Sequence, residues 1–191
     1  STVLHNGGIG NGINTEHTFP QSKGAGTGNA RSNMHHLFPV RSAANSARNN
    51  FPYAEIIDSI TNTWYYKTLS ESNPSFNPDE YSELDIQEPA FEPREDHKGN
   101  GTRAVFYFYT MYTSISEDNF FEIQKAQLRA WHEQDPSNND EVIRTWAIAG
   151  YQQNKQNPFI LDETLIVRAY FPDEMMMVGD VNGDMILNIL D

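Results

Sequence analysis

Two neighbouring stretches, NTEHTFPQS at residues 14–22 and RSNMHHLFP at residues 31–39, are the most informative about the fold and the candidate function of this chain. Gly, Asn, Ser and Thr dominate residues 1–33, so turns are expected there, with only short extended pieces between them. From residue 40 the sequence VRSAANSAR is compatible with a helix of about two to three turns, and Pro39 is predicted to lie in its first turn. The region therefore predicts short extended segments followed by a short helix.

The side chains of this region suit chemistry on a phosphodiester. Mg²⁺ prefers oxygen ligands, and Glu16 and Asn45 could supply them. Hydrolysis also requires a base that activates water, and a neutral His17 suits that role near pH 7. A guanidinium binds phosphate in a fork, and Arg31 or Arg48 could provide one.

One geometric requirement follows from the adjacency of Glu16 and His17. Neighbouring residues of an ideal strand point to opposite faces, so the two side chains can converge only at the end of a strand or at a bulge. The Gly-rich flank and Pro20 favour such a break.

Length and composition limit the remaining possibilities. The 191 residues are enough for one domain with a short appendage. The absence of cysteine excludes disulfides, iron–sulfur clusters, Cys-type zinc sites and a thiol nucleophile. With 13 Lys and Arg against 26 Asp and Glu, the net charge of −13 repels nucleic acid and membranes on average. No apolar run approaches the roughly 18 residues of a membrane span, so we expect a soluble protein without membrane partners.

The rest of the chain predicts a mixed fold. Residues 50–100 predict a long ordered segment with few helices or strands, held to the core by its aromatic residues. Residues 103–112 are apolar nearly all round and predict a central buried helix. A second helix is predicted from an N-cap at Asp118 to Pro136, and a third from residues 137–140 onward. The third helix would carry one apolar face made of Ile143, Trp146, Ala147 and Tyr151.

The motif blocks together resemble the endonuclease I family of bacterial nucleases, in the ββα-metal (His-Me finger) superfamily. Besides residues 14–22 and 31–39, the likeness includes Asn45 with residues 48–50 and EPREDHKGN at residues 92–100. It covers roughly residues 10–170, and further blocks include Trp131 with residues 135–136, Glu141 with Arg144, and residues 153–154 with 157–159.

The resemblance implies an α+β fold with a ββα-metal motif on a mostly helical, loop-rich body, here in a nuclease domain of residues 1–174. It implies a secreted or periplasmic, sequence-tolerant endonuclease that uses Mg²⁺, with Mn²⁺ as a substitute, and leaves 5′-phosphate ends on DNA and in some members on RNA. Glu16 and Asn45 would be the metal ligands, His17 the general base, and Arg31, with Arg48 as second choice, the residue beside the scissile phosphate. We expect the protein to act as a monomer.

The last residues, GDVNGDMILNILD at 179–191, resemble the first calcium repeat of a dockerin module. Residues 175–191 would then be the fragment of an anchoring module, with a cell-surface or scaffold partner. Met185 stands where the sharp turn calls for Gly. The candidate Ca²⁺ ligands are Asp180, Asn182, Asp184, the backbone carbonyl of Ile186, Asn188 and Asp191.

Two other functions remain open at this point. The chain could be a surface or scaffold-attached module in which the calcium loop acts and the nuclease site is degenerate. It could also be a zinc hydrolase that uses His17, His35 and His36. His35 and His36 are adjacent, an arrangement that favours a structural histidine over two ligands of one ion.

Overall fold

A computed structural model describes residues 12–172. Two antiparallel sheets and seven helices occupy this part of the chain, which confirms the α+β class. The strands are β1 (Ile13–His17), β2 (Leu37–Arg41), β3 (Thr63–Tyr66), β4 (Leu69–Glu71), β5 (Ser82–Asp85) and β6 (Ala90–Glu92). The helices are α1 (Gly28–Ser32), α2 (Ser42–Arg48), α3 (Lys98–Met111), α4 (Asp118–Gln134), α5 (Asn139–Ala149), α6 (Pro158–Leu161) and α7 (Leu165–Tyr170).

The N-terminal unit consists of β1, β2 and α2. The two strands pair antiparallel without a bulge, with Glu16 opposite Phe38 and His17 opposite Leu37. Helix α2 follows β2 directly, so the prediction that a helix begins at residue 40 is wrong by two residues. Pro39 lies inside β2, opposite Thr15. The strand tolerates its missing N–H because, within residues 12–172, β2 pairs with no strand other than β1.

A four-stranded sheet in the order β4-β3-β5-β6 fills much of residues 50–100, where few regular elements were expected. Its strands are only three or four residues long, too short for a clear alternation of polar and apolar residues. Trp64 of β3 is buried against Tyr81, with ring centroids 5.9 Å apart. Tyr81 directly precedes β5, so this contact lies within the sheet region; of the aromatics predicted to hold the segment to the core, Tyr65 packs against the main core cluster.

Helix α3 is the centre of the core, which confirms the prediction for residues 103–112, although the helix begins earlier, at Lys98. Val105, Phe106 and Phe108 are completely buried. Phe108 stacks on Phe19 at 4.5 Å between ring centroids, and the neighbouring helix α4 covers α3. Thus the segment that follows β1 is packed directly on the central helix. Helix α4 begins at Asp118, which was predicted to be its N-cap; the N-cap is Glu117, one residue earlier.

The apolar face predicted for the third helix does not pack against the core. Ile143 and Trp146 of α5 are exposed by 67% and 56%, and Tyr151, which lies beyond the end of the helix, by 84%. The buried side of α5 includes Glu141 and Thr145 instead. Polar residues face inward here because α3 presents a buried charge that needs a partner.

That charge is Arg103, which is fully buried. Its Nε donates hydrogen bonds to both carboxylate oxygens of Glu141, at 3.0 and 2.7 Å, and its Nη1 donates to the backbone oxygen of Asp135 at 2.7 Å. Nη1 also lies 3.1 Å from His132 Nδ1, which accepts a hydrogen bond from it. The ion pair joins α3 to α5, and its neighbours satisfy the remaining donors.

Within residues 12–172, no helix combines the length and the apolar character needed to cross a membrane.

We predict that Glu141→Ala lowers the free energy of unfolding by about 3–5 kcal/mol, because the buried guanidinium of Arg103 loses its counter-ion. Glu122→Ala, which removes a surface partner of Lys125 at 2.7 Å, is the control and should change stability by about 0.5 kcal/mol or less. Urea denaturation followed by circular dichroism measures both. Equal losses in the two variants would contradict a structural role for the buried pair.

Candidate active site

A polar cleft of about 630 Å³ lies beside β1 and α2. Five residues singled out from the sequence line it: Glu16, His17, Arg31, Asn45 and Arg48. They come from β1, α1 and α2, so the fold brings together side chains up to 32 positions apart in the sequence. Other residues of the wall include Asn14, Gln21, Ser22, Asn49 and Asn50.

Glu16 and His17 both reach the cleft because β1 ends at His17. The pairing of β1 with β2 is continuous up to that residue, so the convergence comes from the strand end and not from a bulge. After the strand, the backbone N–H of Thr18 still donates to the carbonyl of His36, at 3.0 Å, and the buried ring of Phe19 packs on α3. The chain is thus fixed immediately behind the two residues.

The carboxylate of Glu16 is buried and paired with Arg48, whose Nη1 donates to Oε1 at 2.9 Å. Burial raises the pKa of the Glu16 carboxyl, while the charge of Arg48 and its hydrogen bond act in the opposite direction. The other oxygen, Oε2, accepts no hydrogen bond from any residue between 12 and 172. One lone-pair-bearing oxygen therefore remains available to a ligand.

Arg48 also fixes the backbone at the end of β1, in addition to binding the Glu16 carboxylate. Its guanidinium donates to the backbone oxygens of His17, at 3.0 Å, and Thr18, at 2.7 Å, and it lies 4.7 Å from the ring of Tyr53. The side chain is only 2% exposed. Arg48 lines the cleft, but its donors at Nη1 and Nη2 are already used within the protein.

His17 has one ring nitrogen fixed by the backbone. Nε2 lies 3.0 Å from the carbonyl oxygen of Arg31 and must donate to it, since a carbonyl can only accept. In the neutral ring, Nδ1 then carries the lone pair. Burial lowers the pKa of His17, the hydrogen bond to the Arg31 carbonyl raises it, and the charges of Arg31 and Arg48 lower it further. The net effect favours a neutral imidazole that can accept a proton.

Asn45 places an amide in the wall of the cleft. Its Nδ2 is buried and has no hydrogen-bond partner within the described range. A buried amide without a partner is uncommon and indicates a missing ligand. A 180° rotation about the last side-chain bond exchanges Nδ2 and Oδ1, so the amide can present an oxygen instead. Together with the available oxygen of Glu16, this donor set fits a hard divalent cation.

Arg31 occupies the C-terminal end of α1 at the rim of the cleft. Its guanidinium is exposed and contacts no acceptor or counter-ion in the described part of the chain. Of the two arginines considered for phosphate binding, Arg31 is thus the one whose donors are not used by the protein.

His35 and His36 form a short 3-10 turn before β2 and are both buried. Their Nε2 atoms each lie 2.8 Å from a backbone oxygen, of Lys155 and Ala30 respectively. Burial lowers the pKa of His36 to about 3, so it stays neutral. Arg144, which the sequence placed in a motif block without assigning it a role, donates to the carbonyls of Met34 and Leu37 and holds the same turn.

The zinc hypothesis is wrong for the described residues. In that range, a single group of three His, Asp or Glu side chains has its ligand atoms within 4.8 Å of one another, and it is Glu55, Glu92 and Glu95 rather than the three histidines. The ammonium of Lys98 already lies among these carboxylates, 3.1, 2.7 and 2.5 Å from their oxygens. Lysine therefore supplies the cation that this cluster needs.

The predicted calcium loop, with Asp180, Asn182, Asp184, Ile186, Asn188 and Asp191, lies outside the described residues. The proposed boundary at residue 174 also lies outside them.

Comparison with known proteins gives two findings. The sequence profile of the family Endonuclease I matches residues 4–163. An extracellular ribonuclease of Bacillus subtilis (strain 168) is 29% identical over an alignment of 182 residues; the match covers 84% of this chain and 54% of that protein. The chain thus spans about half the length of this curated relative.

We predict that Arg48→Met makes stability more sensitive to pH. Without the opposing charge, the pKa of buried Glu16 rises further above its value in the unfolded chain. The folded state then holds a proton that the unfolded state releases, so the free energy of unfolding falls as the pH rises above the unfolded pKa. Urea denaturation in EDTA at several pH values should therefore show a gap to wild type that widens with pH.

A second variant isolates the carboxylate. In Glu16→Gln/Arg48→Met the group that titrates is absent, so the additional pH dependence should disappear. If the double variant retained it, the assignment of the effect to Glu16 would fail.

Proposed function

Because the chain belongs to the endonuclease I family, we propose that it is a metal-dependent, largely sequence-nonspecific endonuclease that hydrolyses phosphodiester bonds of DNA and RNA. The observation that carries the proposal is the cleft in which Glu16, His17, Asn45 and the unpaired Arg31 meet. A carboxylate, a neutral imidazole and a guanidinium with unused donors are the groups that this reaction requires.

His17 acts as the general base. Its Nδ1 takes a proton from the attacking water, whose oxygen bonds to phosphorus while the bond from phosphorus to the 3′ oxygen breaks. The departing 3′ oxygen takes a proton from solvent water, and His17 later returns its proton to solvent, so the products are a 3′-hydroxyl and a 5′-phosphate. The Arg31 carbonyl keeps the proton on Nε2 and holds the ring in place. The lowered pKa of His17 keeps the base unprotonated at neutral pH.

Glu16 and Asn45 would hold Mg²⁺ or Mn²⁺ through carboxylate and amide oxygens. When bound, the metal supplies charge stabilisation at the phosphate and the leaving oxygen. Arg48 acts as a positioning residue, since it orients the Glu16 carboxylate and the strand end behind it. Arg31 binds a non-bridging phosphate oxygen and orients the scissile group.

The proposed setting is outside the cell, as a secreted or periplasmic enzyme. The name of the B. subtilis relative describes that protein as extracellular and as a ribonuclease, which supports export and an RNA substrate. The absence of cysteine in this chain is compatible with an oxidising compartment.

We expect His17→Ala to lower kcat on a plasmid substrate by about 10²–10⁴-fold, the usual contribution of a positioned general base. Mg²⁺-dependent nicking, assayed with and without EDTA, provides the measurement. His97→Ala is the matched control, because its ring packs on Phe38 away from the cleft, and it should retain activity. Full activity in His17→Ala would remove this mechanism.

We expect Asn45→Ala to weaken metal binding by about tenfold or more, since even the loss of a group that merely orients a ligand costs about that much. Electron paramagnetic resonance of free Mn²⁺ measures binding without substrate. Asn50→Ala is the control: Asn50 lines the same cleft but donates to Ser22 at 3.4 Å. Unchanged Mn²⁺ affinity in Asn45→Ala would show that the amide is not a ligand.

A further inference from the structure

A second pocket, of about 340 Å³, adjoins the active-site cleft across helix α1. Ser32 lines both spaces. Asn29 lines the second pocket, whereas Arg31, two residues later, lines the cleft. One helix of five residues therefore forms a shared wall, and a molecule bound in the cleft can extend over it into the second pocket.

The charge of the second pocket differs from that of the chain as a whole. None of the described residues that line it is Asp or Glu, although the chain contains 26 of them. It does include Lys155, whose ammonium makes no ion pair with any residue from 12 to 172. Among the described residues that line the cleft, Glu16 is the only acidic one. The two adjoining spaces thus share a local bias toward anions.

The lining offers a planar ring and unused amide groups. Tyr151 is 84% exposed, and its ring is available for stacking. Asn29 and Gln153 line the same pocket, and their side-chain amides have no hydrogen bonds to other described residues. Each amide has both donors and an acceptor, so it can form paired hydrogen bonds with the edge of a nucleobase.

The back of the pocket is fixed by hydrogen bonds. Asn33 Nδ2 donates to the hydroxyls of Tyr107, at 3.2 Å, and Tyr112, at 3.0 Å. Gln152 accepts from the backbone N–H of Met34 at 2.6 Å and donates to Asn33 Oδ1 at 3.1 Å. This network joins the turn after α5 to the segment after α1. The pocket is therefore already formed before a ligand binds.

We propose that this pocket binds an unpaired nucleobase of the nucleotide next to the scissile phosphate. The base stacks on Tyr151, its edge contacts the amides of Gln153 and Asn29, and Lys155 meets the adjoining phosphate. A paired base has its edge and faces covered inside the duplex, so the pocket favours single-stranded nucleic acid. The proposal rests on the proposed nuclease function and adds a substrate preference to it.

The test compares KM for a single-stranded oligodeoxynucleotide between wild type and Tyr151→Ala, with Mg²⁺ present. We expect KM to rise roughly tenfold, the scale of one lost base–aromatic stack, with kcat nearly unchanged. On a duplex of the same sequence the two proteins should have similar KM values. Trp146→Ala is the matched control, since Trp146 is also an exposed aromatic, at 56%, but does not line the pocket.

An abasic substrate separates recognition of the base from other effects. In a series of oligonucleotides, each with one abasic position, wild type should show one position beside the cleavage site where KM rises. Tyr151→Ala should not respond to that position, because the stacking partner is already absent. Lys155→Ala should lower the salt dependence of binding by about one phosphate contact.

The possible failures are distinguishable. If wild type cleaves no nucleic acid, the proposed function itself fails. If wild type cleaves but Tyr151→Ala matches it on single strands, or responds to the abasic series as wild type does, the base pocket is wrong and the nuclease function stands.

Discussion

The buried contact of Arg48 with the end of β1 is the interaction on which the site depends. The guanidinium of Arg48, at the last turn of α2, donates hydrogen bonds to the Glu16 carboxylate and to the carbonyls of His17 and Thr18. It therefore fixes the position of α2 against the strand and the orientation of the two adjacent side chains at once. The Nη1 and Nη2 donors of this buried charge are satisfied by these partners, and losing them would be costly, so the strand end and the helix cannot shift independently.

The distribution of charge explains how a chain with a net charge of −13 can present a surface for a polyanion. Three buried cations are paired inside the protein: Arg103 with Glu141, Lys98 with three carboxylates, and Arg48 with Glu16. Arg31 and Lys155 differ, since neither has a partner among residues 12–172, and each lines one of two adjoining pockets with few or no acids. The positions of the unpaired cations, more than the net charge of the chain, determine where an anion can approach.

The five residues that the sequence singled out for the site all line one cleft, and they lie within residues 14–48, where short-range motifs carry the signal. Several details of the fold around them differ from the prediction. Pro39 and Val40 were predicted to begin a helix but belong to β2, because the helix-compatible residues that follow concealed where the strand ends. The outward face of α5 could not be predicted from periodicity, because Glu141 turns inward to meet Arg103, a partner 38 positions away. Contacts over such distances leave no local pattern. The pocket at Tyr151 was missed for the same reason: its walls come from α1, α3 and the turn after α5.

His17 is oriented by the backbone carbonyl of Arg31, not by its side chain. The backbone and the side chain of Arg31 therefore have separate roles. The carbonyl that orients the imidazole is present whatever side chain occupies position 31, so no single replacement there deletes the acceptor. The guanidinium of the same residue extends into the cleft and is free to change without disturbing the ring. Glu16 has no such protection, since its orienting partner is itself a side chain. Substitutions at position 31 can therefore alter substrate contacts during evolution while the orientation of the His17 imidazole is preserved. A substitution at position 16 or 48 instead requires a matching substitution at the other position.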